Sequence, residues 1–424
     1  MSEGTQGYYA VTAGSQVPRA ALSDIIRTDI CVIGAGYTGL SAALHAAETG
    51  ARVAVVEADS VGFAASGRNG GQIHTGLRKD QSVLEKWLGP AHAHDLWTLT
   101  EEAKSLVRAL VDRHDIACDL KSGLVIAAHN AQAVRALAED TEHLAKTYNY
   151  SDAHMMDADE TAAQLGTQAY PAARWDGGGG HLHPLRFARG LATAAEKAGA
   201  TLYERSRVLA FDSTREGVRV LCTGGSIDAG HVILATDAFT GTIAPQLDRF
   251  IGHVESFVTA TAPLPQPLSE KIVACDAAVA DTRHVLDYYR KSADGRLLFA
   301  GREAYFRPPS DIAALVRPRM LQIFPELDTI PTEYAWSGTV GITVTRMPHF
   351  GHLGDRVLFA HGYSGQGVAL ATLGGKLLTE AALGQAERFD VFARVPARAF
   401  PGGRLLRRPL IAAALLAYKV LDAA

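Results

Sequence analysis

The first part of the chain alternates between short apolar runs and a helical stretch rich in small residues. Asp29–Gly34 is apolar and β-branched and stops at a glycine, which is typical of a buried parallel strand. Ser41–Ala47 is rich in alanine and leucine and predicts a helix that ends near Gly50. Val53–Glu57 predicts a second buried strand. The pattern therefore predicts a βαβ unit.

The turn between the first strand and the helix has the spacing of a dinucleotide-binding turn. Gly34 permits the tight turn, Gly36 lets the backbone approach a pyrophosphate, and Gly39 lets the helix pack close to the strand. Glu57, 18 residues after Gly39, is placed to accept ribose hydroxyls and to repel a 2′-phosphate, which disfavours NADP. This unit alone does not separate FAD from NAD. Its candidate cofactor-binding residues are Gly34, Gly36, Tyr37, Thr38, Gly39, Glu57 and Ala58.

A second strand–turn–helix pattern lies near the end of the chain. Val357–Ala360 predicts a buried strand, and Val368–Leu383 predicts a helix after a glycine-rich turn. The dipole of such a helix stabilises the negative charge of a reduced flavin. Because FAD has to be held at both its pyrophosphate and its ring, the two patterns together favour FAD over NAD. The candidate residues here are Gly362, Tyr363, Ser364, Gly365, Gln366, Gly367 and Val368.

A further glycine-rich segment, Ala65–Gln72, follows the second strand. Three glycines and four polar side chains in eight residues make a poor helix or strand. The segment would suit backbone wrapped around an extended polar ligand, and a surface loop would explain the composition equally well. The candidate cofactor-binding residues in it are Ser66, Gly67, Arg68, Asn69, Gly70, Gly71 and Gln72.

The middle of the chain changes from helical to strand-like patterning. Helices are predicted over His94–Asp112, Ala131–Tyr148 and Pro184–Lys197, with a strand at Leu124–Ala127. After residue 239, short strand-like runs are separated by prolines and an Asp-Gly turn, and Tyr288–Arg290 reads as the first strand of a hairpin. The second half therefore predicts an antiparallel sheet.

Composition and charge exclude several classes of protein. The 424 residues carry 41 basic and 45 acidic side chains, and this balance disfavours a general nucleic-acid binder or a polybasic membrane anchor. The four cysteines form no CxxC pair, and His181 and His183 have no third ligand at suitable spacing, so we expect no metal. We see no signal peptide, and the apolar stretch Leu410–Tyr418 is too short to span a bilayer. We expect a cytoplasmic protein.

The whole chain resembles the D-amino-acid-oxidase-like superfamily of FAD enzymes, and in particular its γ-glutamylputrescine oxidase subgroup. The resemblance runs in the same order along nearly the full length. It is carried by Ala65–Gln72, Gly180–Pro184, Thr345–Pro348, Phe350–Gly351, Tyr363–Val368, Ala386–Asp390 and Phe400–Arg404.

This resemblance implies an α/β fold: a Rossmann-like FAD-binding domain with an interleaved substrate domain built on an antiparallel sheet. The implied FAD-binding segments are 1–79, 176–240 and 341–424, and the implied substrate segments are 80–175 and 241–340. The resemblance also implies that the backbone of Val208 binds the adenine edge and that the chain passes close to the cofactor at Thr236. A cysteine that attaches flavin in some members is missing at Thr343–Thr345, and His74 is offset from the histidine that others use. We therefore expect non-covalent FAD.

For the substrate we expect a small amine or amino acid, whose candidate contacts are His74, Tyr288, Arg290, Trp336 and Arg346, with Arg302 as a further candidate. Tyr288 and Arg290 share one face of a strand. Lys271 and Lys291 are candidates for a positive charge that helps oxygen to reoxidise the flavin.

Several functions fit the sequence. The leading hypothesis is an FAD-dependent oxidase of a primary amine that gives an imine, an aldehyde and hydrogen peroxide. A dehydrogenase of secondary or N-methyl amines with another electron acceptor is the alternative. A flavin-binding protein without turnover ranks third, and an NAD-only dehydrogenase ranks last because the second and third glycine-rich segments would lack a role.

Overall fold

The computed structural model describes residues 7–213, 215–304, 309–403, 406–407 and 409–413, and the side chains of residues 302–304 lie outside the description. The side chain of Arg302, residue Arg404 and the last part of the predicted stretch Leu410–Tyr418 therefore lie outside the described residues. The described chain is built on two β-sheets, of eight and nine strands, with helices packed around them.

The described chain contains 17 strands and 12 α-helices. The strands are β1 Ile25–Ile33, β2 Val53–Val56, β3 Gln72–Ile73, β4 Lys121–Ala128, β5 Ala153–Met156, β6 Ala172–His181, β7 Thr201–Tyr203, β8 Val208–Ser213, β9 Val218–Cys222, β10 Gly225–Leu234, β11 Gly252–Thr261, β12 Ala278–Asp281, β13 Tyr288–Lys291, β14 Leu297–Ala304, β15 Thr332–Ile342, β16 His349–Leu353 and β17 Val357–His361. The helices are α1 Tyr8–Thr12, α2 Tyr37–Glu48, α3 Gln81–Leu88, α4 Pro90–Arg113, α5 Ala131–Tyr148, α6 Ala158–Leu165, α7 Pro184–Lys197, α8 Pro245–Asp248, α9 Gln266–Lys271, α10 Ile312–Ile323, α11 Gly367–Ala382 and α12 Glu387–Ala393.

The first sheet has the order β16-β17-β10-β1-β2-β7, with β8 and β9 as an antiparallel ribbon beside β10. Its central strands are parallel, and Ile30–Ile33 of β1 lies in register with Val53–Val56 of β2. Helices α2, α7 and α11 bury their apolar faces together in one large core on this sheet. Parallel strands covered in this way read as continuous apolar runs, which is why the sequence revealed them. The predicted βαβ unit is confirmed.

The second sheet has the order β15-β11-β14-β13-β12-β4-β6-β3, and its ninth strand, β5, pairs with β6. All its pairings are antiparallel except that of β12 with β4. The predicted hairpin is confirmed, since Tyr288 pairs with Ala300 and Lys291 with Leu297 across β13 and β14. Apolar residues on one face of this sheet pack against α10 in a separate core. The predicted α/β fold with a mainly antiparallel second sheet is therefore present.

The two sheets are interleaved along the chain more finely than the sequence indicated. Gln72–Ile73 and residues 176–181 fall in the predicted FAD-binding segments, yet both pair within the second sheet. Helix α4, predicted to belong to the substrate domain, shares the large core of the first sheet. Where exactly the functional domains divide therefore stays a prediction.

The described residues show neither a metal-binding cluster nor a helix suited to crossing a membrane. No group of three or more His, Cys, Asp or Glu side chains among them could hold a metal ion. His181 lies at the end of β6 beside the backbone oxygen of Asp276, and His183 accepts a hydrogen bond from the Arg186 N–H at the start of α7. No described helix is both long and apolar enough to cross a bilayer.

Buried histidines make the fold sensitive to acid. Burial lowers the pKa of His181, His183 and His361 to about 3 and that of His349 to about 4. Between about pH 6.5 and pH 4 the unfolded chain binds protons that the folded chain does not, so the free energy of unfolding falls as the pH falls. Each histidine contributes up to about 1.4 kcal/mol per pH unit.

We expect a lower urea midpoint at pH 5 than at pH 7. The double variant His349→Asn/His361→Asn should lose less stability over this interval, because it removes two of these buried histidines. Equal midpoints for the unaltered protein at the two pH values would contradict the prediction.

Candidate functional site

A cavity of about 440 Å³ lies between the two sheets, within the usual range for small-molecule and cofactor sites. Its walls come from the βαβ turn, the end of β2, the second glycine segment (residues 65–72), the start of β8, the end of β10 and the start of α11. The opposite wall is formed by residues of β11, β13 and β15. The cavity therefore joins most of the segments that the sequence singled out.

The three glycines of the βαβ turn are each constrained by a close contact. Gly34 has φ +105°, and a Cβ there would lie 2.7 Å from the backbone oxygen of Ala235. A Cβ on Gly36 would lie 2.8 Å from Ser66 Oγ, and one on Gly39 would lie 1.9 Å from the Gly34 oxygen. Gly34 and Gly36 line the cavity, and Gly39 lies behind them where α2 meets the turn. The turn at Gly34 and the close helix packing at Gly39 are as the sequence predicted, and the approach of a pyrophosphate to Gly36 stays a prediction.

Glu57 and Ala58 line the cavity at the end of β2. The Glu57 carboxylate accepts hydrogen bonds from the backbone N–H of Ala35 (2.8 Å) and of Asp59 (2.9 Å). Burial raises the pKa of Glu57 above its usual value, and these two N–H donors oppose the shift. The carboxylate is fixed in orientation, and its remaining lone pairs can accept hydroxyl donors.

The second glycine segment is ordered by its own side chains. Residues 65–67 form a short 3₁₀ turn, and Ser66 Oγ accepts a hydrogen bond from the Tyr37 N–H (3.0 Å) at the start of α2. Asn69 donates to the backbone oxygens of Ala65 and Ser66 and accepts from the Gly71 N–H (2.7 Å). Ser66 therefore accepts from a backbone N–H at the start of α2 that has no partner within the helix.

The turn before α11 is held by an aspartate that the sequence did not single out. Asp237 accepts a hydrogen bond from the Gly362 N–H (2.7 Å), and burial raises its pKa while the N–H groups of Gly362, Ala238 and Gly341 oppose the shift. Its side chain thus joins the ends of three strands, β10, β15 and β17. The only sequence signal was a polar residue directly after a buried strand.

Helix α11 begins at Gly367 with no side-chain cap from its N-cap residue, Gln366. Tyr363, Ser364, Gly365, Gly367 and Val368 line the cavity beside this helix start. Uncapped N–H groups at a helix N-terminus bind negative charge. Val208 and Thr236 also line the cavity, on the side of the first sheet.

Three predicted substrate contacts, His74, Tyr288 and Arg346, line the cavity. His74 Nε2 lies 3.1 Å from Gln72 Oε1, and burial together with the nearby Arg78 lowers its pKa to about 4. Tyr288 Oη lies 3.0 Å from Ser256 Oγ. Arg346 has φ +63°, and its side chain makes no hydrogen bond or ion pair with another described residue. A neutral imidazole and an unpaired guanidinium thus face the same space.

The other two predicted substrate contacts, Arg290 and Trp336, do not line the cavity. Arg290 donates to the backbone oxygens of Gly70 (2.8 Å) and Leu182 (3.0 Å). Trp336 Nε1 donates to the backbone oxygen of Arg68 (3.0 Å). Tyr288 and Arg290 lie two residues apart on one strand, as predicted. Tyr288 contacts Ser256 and lines the cavity, whereas Arg290 contacts Gly70 and Leu182 outside it.

The predicted lysines also lie elsewhere. Lys271 Nζ pairs with Glu326 at 2.6 Å, and Lys291 Nζ donates to the Ser269 oxygen at 2.9 Å. Neither lines the cavity. Cavity-lining polar residues that the sequence did not single out include Arg78, Arg207, Ser256, His284 and Thr339. The other predicted cofactor residues outside the cavity wall, Gly67, Gly71, Gly362 and Gln366, each adjoin a residue that lines it.

The arrangement fits an extended dinucleotide. Two helix starts open into one cavity, the glycine at position 36 leaves no room for a side chain, and a fixed carboxylate lies at the end of β2. Gln366 Oε1 is buried beside α11 without a hydrogen-bond partner among the described residues. A dinucleotide bound along this path would meet a donor-rich helix start at its pyrophosphate and a carboxylate acceptor at its ribose.

Comparison with known proteins gives one consistent result. The profile of the family described as FAD dependent oxidoreductase matches residues 29–381. The chain is 38% identical to γ-glutamylputrescine oxidoreductase of Escherichia coli (strain K12), over 100% of this chain and 99% of that protein. It is 25% identical to glycine oxidase of Bacillus licheniformis, over 84% of this chain and 94% of that protein.

A solved structure, the glycine oxidase of Geobacillus kaustophilus, superposes with a TM-score of 0.72 at 21% identity and covers 84% of this chain and 95% of that one. This likeness shows a shared fold. The family profile covers both glycine-rich helix starts that open into the cavity. The chain therefore belongs to the family of FAD-dependent oxidoreductases.

Proposed function

We propose that this protein oxidises the primary amine of a substrate that resembles γ-glutamylputrescine. The observation that carries the proposal is the 38% identity, over the full length of both chains, to an enzyme named for that substrate. The cavity supports it, because the guanidinium of Arg346 and the neutral imidazole of His74 face the same space. A γ-glutamylated amine has a carboxylate at one end for the guanidinium and an amine at the other for oxidation.

The chain's own residues would prepare the amine. When bound, FAD supplies the acceptor for the hydride that leaves the carbon next to the nitrogen. Hydride loss requires the neutral amine, and the guanidinium of Arg78, which also lowers the pKa of His74, disfavours an ammonium ion beside it. His74 is uncharged at neutral pH, so it adds no further cation.

The reaction balances as an oxidation by two electrons. The amine loses two electrons and two protons and becomes an imine, which water converts to an aldehyde and ammonia. In our proposal oxygen receives the electrons and becomes hydrogen peroxide. Residues of β11, β13 and β15 in the second sheet form the wall opposite the cofactor turn.

We propose that FAD is held without a covalent bond. None of the four cysteines, Cys31, Cys118, Cys222 and Cys275, lines the cavity. Acid precipitation should therefore release the flavin into the supernatant, where its absorbance can be compared with that of the protein. Flavin that stays in the pellet would contradict this expectation.

The deciding experiment is anaerobic addition of γ-glutamylputrescine, putrescine, sarcosine and D-alanine, each to a separate sample of the purified holoprotein. We expect γ-glutamylputrescine to bleach the flavin band near roughly 450 nm, and the other compounds to bleach it more slowly. Admission of air should then restore the band with one hydrogen peroxide per amine. Bleaching by sarcosine alone would overturn the substrate, and reoxidation only by an added quinone would overturn oxygen as the acceptor.

A further inference from the structure

The side of the second glycine segment that faces away from the cavity is held by Trp336 and Arg290. The segment carries Ala65, Ser66, Arg68, Asn69 and Gly70 in the cavity wall. Two of its backbone oxygens are taken by buried donors, Trp336 Nε1 on Arg68 (3.0 Å) and Arg290 Nε on Gly70 (2.8 Å). Trp336 and Arg290 are only 4% and 5% exposed. Neither side chain reaches the cavity.

The backbone at Gly70 and Gly71 is closely packed and leaves no room for a side chain. A Cβ on Gly70 would lie 2.7 Å from the Tyr288 ring, and one on Gly71 would lie 2.0 Å from the Leu182 oxygen. Arg290 Nη2 also donates to that Leu182 oxygen (3.0 Å), and the Leu182 N–H donates to the Gly71 oxygen (2.9 Å). Arg290 therefore joins the segment to the chain that leaves β6.

Helix α1, which precedes the first strand of the fold, contacts both Arg290 and Trp336 through Tyr9. Tyr9 is 2% exposed, its hydroxyl accepts from Arg290 Nη2 (3.1 Å), and its ring meets that of Trp336 edge-on at 5.1 Å between centroids. One tyrosine thus contacts both side chains that hold the glycine segment. The helix is anchored in turn, since the Tyr8 hydroxyl donates to Asp294 (2.5 Å) and Arg186 donates to the Thr12 oxygen (2.7 Å).

We propose that Tyr9, Arg290 and Trp336 are positioning residues that hold the second glycine segment in the shape that binds FAD, and so set how tightly the protein holds its cofactor. They act through the backbone of residues 68–71 without touching the cavity. Loss of the Trp336 donor or the Arg290 donor leaves a partly buried backbone oxygen without its hydrogen bond. The segment would then sample other conformations, and part of the binding energy would be spent on ordering it.

The test measures FAD affinity on the full-length apoprotein by fluorescence titration, together with the rate at which FAD dissociates. Trp336→Phe removes the Nε1–H donor and leaves a smaller aromatic ring against Tyr9. We expect it to weaken FAD binding on the order of 10-fold. Tyr9→Phe removes only the hydroxyl and should weaken FAD several-fold. The thermal midpoint of the Tyr9→Phe apoprotein should stay close to that of the unaltered apoprotein, whereas Trp336→Phe should lower it because the smaller ring leaves part of a buried site unfilled.

Tyr8→Phe is the matched control. It removes a hydroxyl from the neighbouring residue of the same helix, but its bond goes to Asp294 in the hairpin and not to the glycine segment. We expect unchanged FAD affinity, because Arg186 still anchors the helix at the Thr12 oxygen. Unchanged affinity in Trp336→Phe and Tyr9→Phe would overturn the proposal, and so would equal losses in all three variants that follow the stability of the apoprotein.

A second readout separates positioning from substrate contact. With FAD at saturation, the KM for the amine should not change in Trp336→Phe, because the side chain does not line the cavity. A raised KM at unchanged FAD affinity would assign Trp336 to the substrate instead. The FAD titration needs no amine, so its result stands whether or not the proposed substrate is correct.

Discussion

Gly39→Ala is expected to abolish tight FAD binding. The added Cβ would lie 1.9 Å from the backbone oxygen of Gly34 and 3.1 Å from Val32 Cγ1. The first of these is a main-chain atom of the cofactor turn, so no side chain can rotate away to relieve the clash. Either α2 moves off the sheet or the turn deforms, and in both cases the helix start no longer points its N–H groups at the pyrophosphate. We expect at least about 100-fold weaker FAD binding and a loss of about 1–3 kcal/mol in stability.

Absorbance of the purified protein gives the ratio of flavin to polypeptide, and thermal unfolding gives the stability. Gly177→Ala is the matched control, because a Cβ there would meet Trp175 Nε1 at 3.5 Å and the Asp152 oxygen at 3.6 Å, which are ordinary contacts. It should retain a full complement of FAD. Stoichiometric FAD with unchanged affinity in Gly39→Ala would show that the turn adapts, contrary to the argument.

Arg346→Gln is expected to raise the KM for an amine that carries a carboxylate and to leave the KM for an amine without one nearly unchanged. Arg346 lines the cavity, and its side chain makes no hydrogen bond or ion pair with another described residue, so its guanidinium is available to a ligand anion. A charge-assisted pair of this kind corresponds to about 10- to 100-fold in affinity. The KM for γ-glutamylputrescine should rise by that factor. Putrescine has no carboxylate, so its KM should hardly change.

Arg346→Lys is the control for charge without fork geometry, and we expect an intermediate KM for γ-glutamylputrescine. Steady-state kinetics with both amines, at saturating FAD and constant ionic strength, provides the measurement. An equal rise in KM for the two amines would mean that Arg346 shapes the cavity and does not anchor a carboxylate. That outcome would also remove one support of the proposed substrate.

Local sequence patterns were sufficient to predict the central strands of the first sheet and the cofactor turn. The apolar runs at Ile30–Ile33 and Val53–Val56 predicted parallel strands because both faces of such strands are buried. The glycine spacing predicted the turn because Gly34 and Gly39 meet within a few residues of each other. The hairpin at Tyr288–Lys291 was visible for a similar reason, since an Asp-Gly turn fixes the pairing of adjacent strands. In each case the deciding contact is close in sequence.

The roles of Arg290, Trp336 and Asp237 were decided only by the tertiary structure. Arg290 meets Tyr9 across 281 positions of sequence and Gly70 across 220. Asp237 meets Gly362 across 125 positions, and its carboxylate holds the turn before α11. No local pattern encodes which neighbour a strand residue will face when the neighbour comes from another segment.

The sequence by itself determined the βαβ unit, the hairpin, helix α11 and the glycine segments that meet at the cavity. The reason is that hydrophobic periodicity, turn chemistry and the missing Cβ of glycine all act locally. The tertiary structure decided that β3 and β6 pair in the second sheet and that Tyr288 and Arg346 face the cavity while Arg290 and Trp336 do not. These choices follow from how segments far apart in the chain pack, and burial and hydrogen-bond satisfaction are properties of the packed whole.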